Sequence, residues 1–270
     1  MHFFGYAFMA AAFLFAGPSS IFALPTAKNA AVVSSLQDAL EALEDNSMLE
    51  RRDGHGFQVP RCNPGKYNLK LPLGEGSPKL TDAGSLKLKL LAIGHGTQNY
   101  TCADSTAKSK PVANGAYAEL YDVSCFPSVI PGILNWLPYL FLHKPRAIPV
   151  EKLPKVGVHY FYPDASTPVF DVNEVTATAK KGRFVGMKSE NITAPSGANT
   201  GVAPNAFGAV DWLKLVSTDN VRTASGRVFA SNGYKAVYRV ETAGGRPPAT
   251  CQGRPTHFEI LYAAQYWLYN

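Results

Sequence analysis

The sequence lacks the residue patterns that mark the common catalytic and metal-binding proteins. It has four cysteines among 270 residues, and no two of them form the C-x-x-C pair of a zinc site. It contains no H-E-x-x-H, G-x-S-x-G or H-x-H motif. Charged residues make up 17% of the chain, with no block of like charge and no nucleic-acid motif. We therefore predict no metal, no cofactor and no nucleic-acid partner.

Long hydrophobic runs are also missing after the amino terminus. The longest, Val129 to Leu142, is interrupted by proline and asparagine, and a bilayer span needs about 20 apolar residues. The first 23 residues have no Lys, Arg, Asp or Glu, and the apolar run Phe3 to Gly17 precedes a small residue, Ala23, at the expected cleavage position. Residues 1–23 are predicted to be a signal peptide rather than a membrane anchor, because the run is short and broken by proline. The protein is expected to be secreted, without a transmembrane anchor.

A pro-segment is predicted over residues 24–52. Its apolar residues recur at helical spacing between Val32 and Leu43, and it ends in the dibasic pair Arg51-Arg52. Such a pair resembles a Kex2-type processing site of the fungal secretory pathway, with cleavage after Arg52. The alternative is an amphipathic helix that packs on the domain. The segment is acidic whereas the chain carries a net charge of +6, so the remaining domain is basic. A basic domain is attracted to acidic surfaces, and the alternative is that the charge only keeps the surface soluble.

Residues 53–270 are predicted to form a single β-rich domain. Twenty-three glycines, 20 prolines and 11% aromatic residues are typical of many short strands joined by turns. Alternating patterns predict strands at 86–90, 118–123, 156–162, 183–187, 210–216, 234–240 and 258–269. In the first of these, the leucines are expected on one face and the lysines on the other. The fold class is all-β, an antiparallel sandwich or barrel with irregular loops, preceded by the helical pro-segment.

A Pro-rich apolar insertion occupies residues 126–149. We expect it to fold onto the sheet as part of the core, and the alternative is an exposed patch that contacts a partner or a lipid. All four cysteines follow the dibasic site, and their even number in an exported chain predicts two disulfides, with three pairings possible. Two sequons, at Asn99 and Asn191, are N-glycosylation acceptors.

Several blocks of sequence together resemble the secreted fungal and bacterial domain-of-unknown-function 3455 family, over roughly residues 60–270. The blocks are Ala92-Ile-Gly-His-Gly-Thr-Gln-Asn-Tyr-Thr-Cys-Ala103, Ala118-Glu-Leu-Tyr-Asp122, Gly157-Val-His-Tyr-Phe161, Ala194-Pro195, Val210-Asp-Trp-Leu-Lys-Leu215, Tyr238-Arg-Val-Glu-Thr-Ala-Gly-Gly245, Pro248-Ala-Thr-Cys251 and Tyr262-Ala-Ala-Gln-Tyr-Trp-Leu-Tyr269. The resemblance implies a Cys102–Cys251 pair and a Cys62–Cys125 pair. It implies no established activity.

Relatives in that family often carry the label malate dehydrogenase, which the residues here do not support. In Gly94-His-Gly-Thr-Gln-Asn99, an asparagine stands where the third glycine of a dinucleotide fingerprint belongs. No helix-forming run or βαβ unit follows it. We therefore do not predict dehydrogenase activity.

The motif residues suggest a ligand-binding set, because polar groups beside aromatic rings suit sugars or small molecules. The set comprises His95, Gln98, Tyr100, His159, Asp211 and Trp212. The alternative is that these residues only hold turns and strand registers. We expect a non-catalytic protein that binds a cell wall, a glycan or a host surface. The alternative function is an extracellular hydrolase or metal-dependent enzyme. A metal site would require His95, His159 and His257 in one cleft. A hydrolase would require two carboxylates in one cleft, from the set Asp122, Asp164, Asp211 and Glu241. The oligomeric state is left open.

Overall fold

The computed structural model describes residues 69–129, 133–143, 153–174 and 181–270. Several predicted features lie outside the described residues and stay predictions. They are the signal peptide with Ala23, the helical pro-segment with Arg52, residues 130–132 and 144–149 of the insertion, and Cys62 of the predicted Cys62–Cys125 pair.

Eight antiparallel strands close into a barrel in which each strand pairs with its neighbours in sequence and the last strand returns to the first. The predicted all-β antiparallel class is confirmed, and the barrel is the correct one of the two predicted architectures. The strands are β1 Leu88–Thr101, β2 Val112–Asp122, β3 Lys155–Phe161, β4 Pro168–Val172, β5 Gly182–Ile192, β6 Trp212–Ser217, β7 Ala236–Gly244 and β8 His257–Tyr269.

Side chains that alternate along the strands fill the barrel. On β8, Tyr262, Ala264, Tyr266 and Leu268 belong to one buried cluster, to which every other strand also contributes. Because successive side chains of a strand point to opposite faces, this cluster is the interior of the barrel. The residues between them, such as Ala263 and Trp267, belong to a second cluster on the outer face.

Glycine makes room for the large rings inside. A Cβ on Gly94 would lie 2.3 Å from the ring of Tyr266, and one on Gly96 would lie 1.9 Å from the backbone oxygen of Tyr117. Both distances are far below a van der Waals contact, so only glycine fits. The G-x-G of the sequence therefore serves the packing of strand β1.

Short helices cover part of the outer face. They are α1 Phe126–Val129, a 3-10 turn Ile133–Trp136, and α2 Leu137–His143. The apolar residues of α2 pack into the outer cluster against β1, β7 and β8. The expectation that the insertion folds onto the sheet is confirmed for residues 137–143. Within the described ranges, none of the helices has the length and apolar character needed to cross a bilayer.

A disulfide closes one end of the barrel, which we call the upper end. Cys102 directly follows β1 and bonds to Cys251 in the β7–β8 connection, the pairing that the family resemblance implied. The bond joins positions 149 residues apart in sequence. A cross-link that closes such a long loop stabilises the fold mainly by restricting the unfolded chain.

Two details of the sequence prediction are wrong. Leu88 packs on the outer cluster but Leu90 lies in the interior, because the β1–β8 register shifts between them, so the leucines do not share one face. Strand β4 was not predicted, since Pro168 interrupts the pattern in a strand of only five residues. At the first position of a short strand, proline is tolerated.

Candidate functional site

The structure separates the six residues of the predicted ligand-binding set. Gln98, Tyr100 and His159 point into the barrel and are buried. Asp211 lies at the upper end, immediately before β6. His95 and Trp212 are on the outer face, where His95 lies 6.4 Å from the ring of Phe141 on α2 and Trp212 joins the outer cluster.

His95 and Trp212 therefore do not belong to one site with the interior residues, and the set as predicted is not one constellation. The reason is the two-residue period of a strand, which sends His95 to the face opposite to Gln98. A block of neighbouring motif residues in sequence is thus divided between two faces of the sheet.

Tyr100 is held at the upper end of the interior. Its hydroxyl donates a hydrogen bond to the Gly245 carbonyl at 2.7 Å, and its ring stacks on Phe258 with centroids 5.5 Å apart. Burial raises the pKa of Tyr100 to about 12, although the nearby guanidinium groups of Arg239 and Arg246 act in the opposite direction. The hydroxyl stays protonated at any physiological pH.

His159 is a buried, neutral imidazole. Its Nδ1 lies 2.8 Å from the Val169 carbonyl, so that nitrogen carries the proton and donates it. Burial lowers the pKa of His159 to about 3, and the positive charge of Arg239 also lowers it. The ring packs among Phe161, Phe170 and Tyr266. These contacts describe an imidazole that fills the core.

Three further polar groups share this interior, and the sequence analysis did not include them in the set. Tyr262 and Tyr266 have their hydroxyl oxygens 2.8 Å apart. Burial raises the pKa of both, whereas the charge of Arg239 lowers it. Arg239 donates hydrogen bonds from Nε and Nη2 to the Asp211 carbonyl at 3.2 and 2.9 Å.

The three histidines that a metal-dependent enzyme would require do not converge. His159 is inside the barrel, His95 is on the outer face, and His257 is exposed at the start of β8. Two of the four candidate carboxylates are at opposite ends of the barrel, since Asp122 ends β2 near Ala92 whereas Asp164 lies in the β3–β4 turn at the upper end. Within residues 69–129, 133–143, 153–174 and 181–270, no group of three or more metal-ligating side chains is found.

An accessible group of aromatic and charged side chains lies instead on the outer face of β2 to β5. We call it the tyrosine face, and define it by Tyr117, Glu119, Lys155, Tyr160, Tyr162, Asp171 and Arg183. Tyr117 is 48% exposed. It stands on β2 directly opposite Thr97 of β1, and it acts electrostatically on Lys155 of β3.

Tyr160 continues this face across β3 and β4. Because Ala118 pairs with His159, Tyr117 and Tyr160 flank that pair on the side that points outward. The Tyr160 hydroxyl donates to Asp171 Oδ2 at 2.7 Å, and Arg183 Nε donates to Asp171 Oδ1 at 2.6 Å. Burial and the Asp171 carboxylate raise the pKa of Tyr160 to about 12.

One edge of the tyrosine face is aromatic. The Arg183 guanidinium lies 4.6 Å above the centroid of Phe229, which the β6–β7 loop supplies. Tyr162 meets the same ring edge to face, with centroids 5.1 Å apart, and remains 36% exposed. These contacts fix the orientation of Arg183 and Tyr162 before any ligand binds.

Glu119 and Lys155 on this face are paired and stay ionised. Lys155 donates to Glu119, which also accepts from the Tyr121 hydroxyl. The Lys155 hydrogen bond is the largest cause of the lowered pKa of Glu119, and the same bond raises the pKa of Lys155. A carboxylate and an amine held in their charged forms serve hydrogen bonding better than proton transfer near neutral pH.

Both predicted glycosylation acceptors lie on strands. Asn99 is half-buried on β1, and its Oδ1 accepts from the Thr97 hydroxyl at 3.1 Å. It is two residues from Thr97, the partner of Tyr117, and so lies on the same outer side of the barrel. Asn191 is exposed on β5, and its Nδ2 is 3.5 Å from Asp211 Oδ2.

A signal for the tyrosine face exists in the sequence. Ala116-Tyr117-Ala118 places one large ring between two small residues, and on a strand this pattern separates an outward ring from an inward pair. The partners of Tyr160 carry no such signal, because Asp171 and Arg183 come from two other strands.

Comparison with known proteins gives a family and no activity. A family model described as a protein of unknown function (DUF3455) matches residues 82–270, which is more than half of the chain. No curated protein and no solved structure matches the chain.

Proposed function

This chain belongs to the DUF3455 family of proteins of unknown function, and we infer its role from its own surface. We propose that it is a secreted, non-catalytic protein that binds a polysaccharide of a cell wall or a glycan-bearing surface. The site that we assign to this binding is the tyrosine face. Secretion is part of the proposal, and the apolar amino terminus and the disulfide of the barrel support it.

One observation carries the proposal: Tyr117 is exposed beside charged groups that are already oriented on neighbouring strands. Aromatic rings present an apolar surface to the C–H faces of a sugar ring, whereas carboxylates and guanidinium groups bond to its hydroxyls. The tyrosine face offers both kinds of group on rigid strands. A ligand would therefore find little side-chain entropy left to lose on binding.

The position of the face favours a polymer over a small substrate. It lies on the outside of a barrel, where an extended chain can cross several strands. Helix α2 packs on β1, β7 and β8, on another part of the outer surface. The basic character of the chain, with a net charge of +6, adds a general attraction to acidic glycans.

Retention on insoluble polysaccharides tests this function. Purified secreted protein is incubated with chitin, β-glucan, mannan and an acidic glycan resin at low salt, and bound protein is quantified. We expect retention on at least one polymer, and a loss of about tenfold in Tyr117→Ala, which corresponds to about 1.4 kcal/mol. Tyr117→Phe keeps the ring and should retain most of the binding.

Tyr139→Ala is the matched control, because Tyr139 on α2 is also exposed, at 38%, but lies away from the tyrosine face. It should bind as the unchanged protein does. Equal retention of Tyr117→Ala and the unchanged protein, or no retention on any polymer, would refute the assignment.

A further inference from the structure

We propose that the upper end of the barrel interior binds the oxyanion group of a small acidic ligand, held by the guanidinium of Arg239 and the amide of Gln98. This site is distinct from the tyrosine face, which is on the outside of β2 to β5. Two observations lead to it. A buried amide nitrogen of Gln98 has no hydrogen-bond partner among the described residues, and the buried Arg239 guanidinium donates only to neutral acceptors.

Arg239 is a buried cation that has no anionic partner in the part of the chain that the structure describes. Its side chain points into the barrel and only 8% of the residue is exposed. It donates two hydrogen bonds to the Asp211 carbonyl and a further one to the Tyr266 hydroxyl, and both acceptors are neutral. Among the described residues, no carboxylate oxygen lies within 4.0 Å of its guanidinium. Removing a charge from water without an opposite charge is costly, so an anionic ligand would stabilise this arrangement.

Gln98 supplies a second donor close by. It is 8% exposed, and its Nε2 makes no hydrogen bond of normal geometry with any described residue. The amide faces the Tyr262 hydroxyl and lowers the pKa of that tyrosine as a weak donor, but the contact does not meet hydrogen-bond geometry and leaves the amide without an acceptor. A buried amide N–H without an acceptor costs about 1–3 kcal/mol, and an oxyanion would remove that cost.

The two donors share one neighbourhood. Arg239 pairs with Tyr266 on β8 and donates to its hydroxyl, which lies 2.8 Å from the Tyr262 hydroxyl that the Gln98 amide faces. Gly245, whose carbonyl accepts from Tyr100, is also next to Gln98, because a Cβ added to Gly245 would lie 3.1 Å from Gln98 Cγ. These relations bring β1, β7 and β8 together around one point at the upper end.

The mouth of this site has an excess of positive charge. Arg246 acts on Tyr100 together with Arg239, and its side chain is 43% exposed. Asp211 is the carboxylate here, and its Oδ1 lies 3.4 Å from Arg246. Among the described residues, the charges that act on Tyr100 are therefore two guanidinium groups and one carboxylate. The rings of Tyr100, Phe258 and Tyr262 add apolar surface, which suits an acid with an aromatic body.

Two probes distinguish a carboxylate from a phosphate as the oxyanion of the ligand. They are benzoate, an aromatic carboxylate, and inorganic phosphate. Calorimetry and thermal unfolding are measured with the full secreted chain at constant ionic strength, with sodium chloride as the reference salt. We expect one or both probes to bind and to raise the unfolding temperature beyond chloride. Binding of benzoate alone assigns an organic acid, whereas binding of phosphate alone assigns a phosphorylated ligand.

Three variants test the residues. Gln98→Leu removes the donor at similar volume and should weaken binding about tenfold, because a hydrogen bond to a charged group contributes about 1.5–3 kcal/mol. Without ligand, the same variant should unfold at an equal or higher temperature, which a purely structural role of Gln98 does not produce. Arg239→Gln should abolish binding, and Arg227→Gln, which changes an exposed arginine, should leave it intact.

The proposal is overturned if neither probe exceeds the chloride reference. It is equally overturned if Gln98→Leu binds as tightly as Arg227→Gln. Should Arg239→Gln fail to fold, the comparison between Gln98→Leu and Arg227→Gln decides the question.

Discussion

His159 stacks on Phe170 inside the barrel, with ring centroids 4.1 Å apart and planes inclined by 11°. The imidazole is one of the few titratable groups in this interior, and it lies on the same face as Tyr266 and Arg239. Its position links the packing of the barrel to the dependence of stability on pH.

The first prediction concerns acid stability. Burial lowers the pKa of His159 from 6.5 to about 3, so the unfolded chain takes up a proton that the folded chain does not. The contribution of neutral His159 to the free energy of unfolding is fully present above pH 6.5. It is lost as the pH falls toward 3, by about 1.4 kcal/mol per pH unit. Denaturant unfolding of His159→Phe between pH 4 and 7 should lack this slope.

His257→Gln is the control for that experiment, because His257 is exposed at the start of β8. The free energy of unfolding of this variant should change with pH as steeply as that of the unchanged protein. A slope in His159→Phe identical to that of His257→Gln would show that His159 does not remain neutral in the folded state.

The second prediction concerns Glu241, which occupies a bulge of β7 with a φ of 47°. Burial, and to a smaller extent the Glu75 carboxylate, raise the pKa of Glu241 to about 7. Stability from this group is present below pH 4.5 and is lost as the pH rises through 7, the opposite direction to His159. Glu241→Gln should therefore gain stability relative to the unchanged protein at pH 8 but not at pH 4.

Glu241→Gly separates charge from backbone strain. A non-glycine residue in the left-handed region costs about 1 kcal/mol or more, so glycine should be more stable than glutamine at both pH values. If the glycine variant is instead less stable than Glu241→Gln, contacts of the side chain outweigh the strain.

The third prediction concerns the packing of the barrel. A methyl group added by Gly94→Ala would lie 2.3 Å from the Tyr266 ring, and both strands are fixed by the β1–β8 ladder. We expect a loss of about 2 kcal/mol in the free energy of unfolding, measured with urea. Gly197→Ala is the control, since its Cβ would meet no atom within 4 Å. Equal stability of the two variants would show that the ring of Tyr266 can move away.

The fourth prediction concerns the sequon at Asn99. A glycan there would stand beside Tyr117, because Asn99 is two residues from the strand partner of that tyrosine. Asn99→Gln should therefore increase retention on the polysaccharide that the protein binds, whereas Asn191→Gln on β5 is the comparison for a glycan attached elsewhere. Enzymatic deglycosylation of the unchanged protein should reproduce the effect. A decrease on removal would mean that the glycan contributes to binding.

The strands could largely be predicted from the sequence, because hydrophobic alternation reports the two-residue period directly. On β8, the alternating residues from Tyr262 to Leu268 are indeed inside. Alternation does not say which face is inside when both are covered. On β7, Tyr238 and Val240 pack in the outer cluster beneath neighbouring segments, so the face that carries Arg239 is the interior.

The candidate sites were less predictable, for a physical reason. The tyrosine face depends on the pairing of Asp171 with Arg183 and of Glu119 with Lys155, which joins strands that are distant in sequence. The interior site depends on the unpaired amide nitrogen of Gln98 and on the neutral acceptors around Arg239, and both follow only from what surrounds these residues. Chain neighbours such as His95 and Gln98 suggested one site, although a strand sends them to opposite faces.

The most direct test of the proposed function is a residue-resolved NMR titration of the isotope-labelled protein with a soluble oligosaccharide of the polymer that retains it. The account predicts that the largest shift changes fall on Tyr117, Lys155, Tyr160 and Arg183, with small changes at Tyr139. Largest changes on α2, or inside the barrel around Gln98 and Arg239, would contradict the assignment of glycan binding to the outer strands.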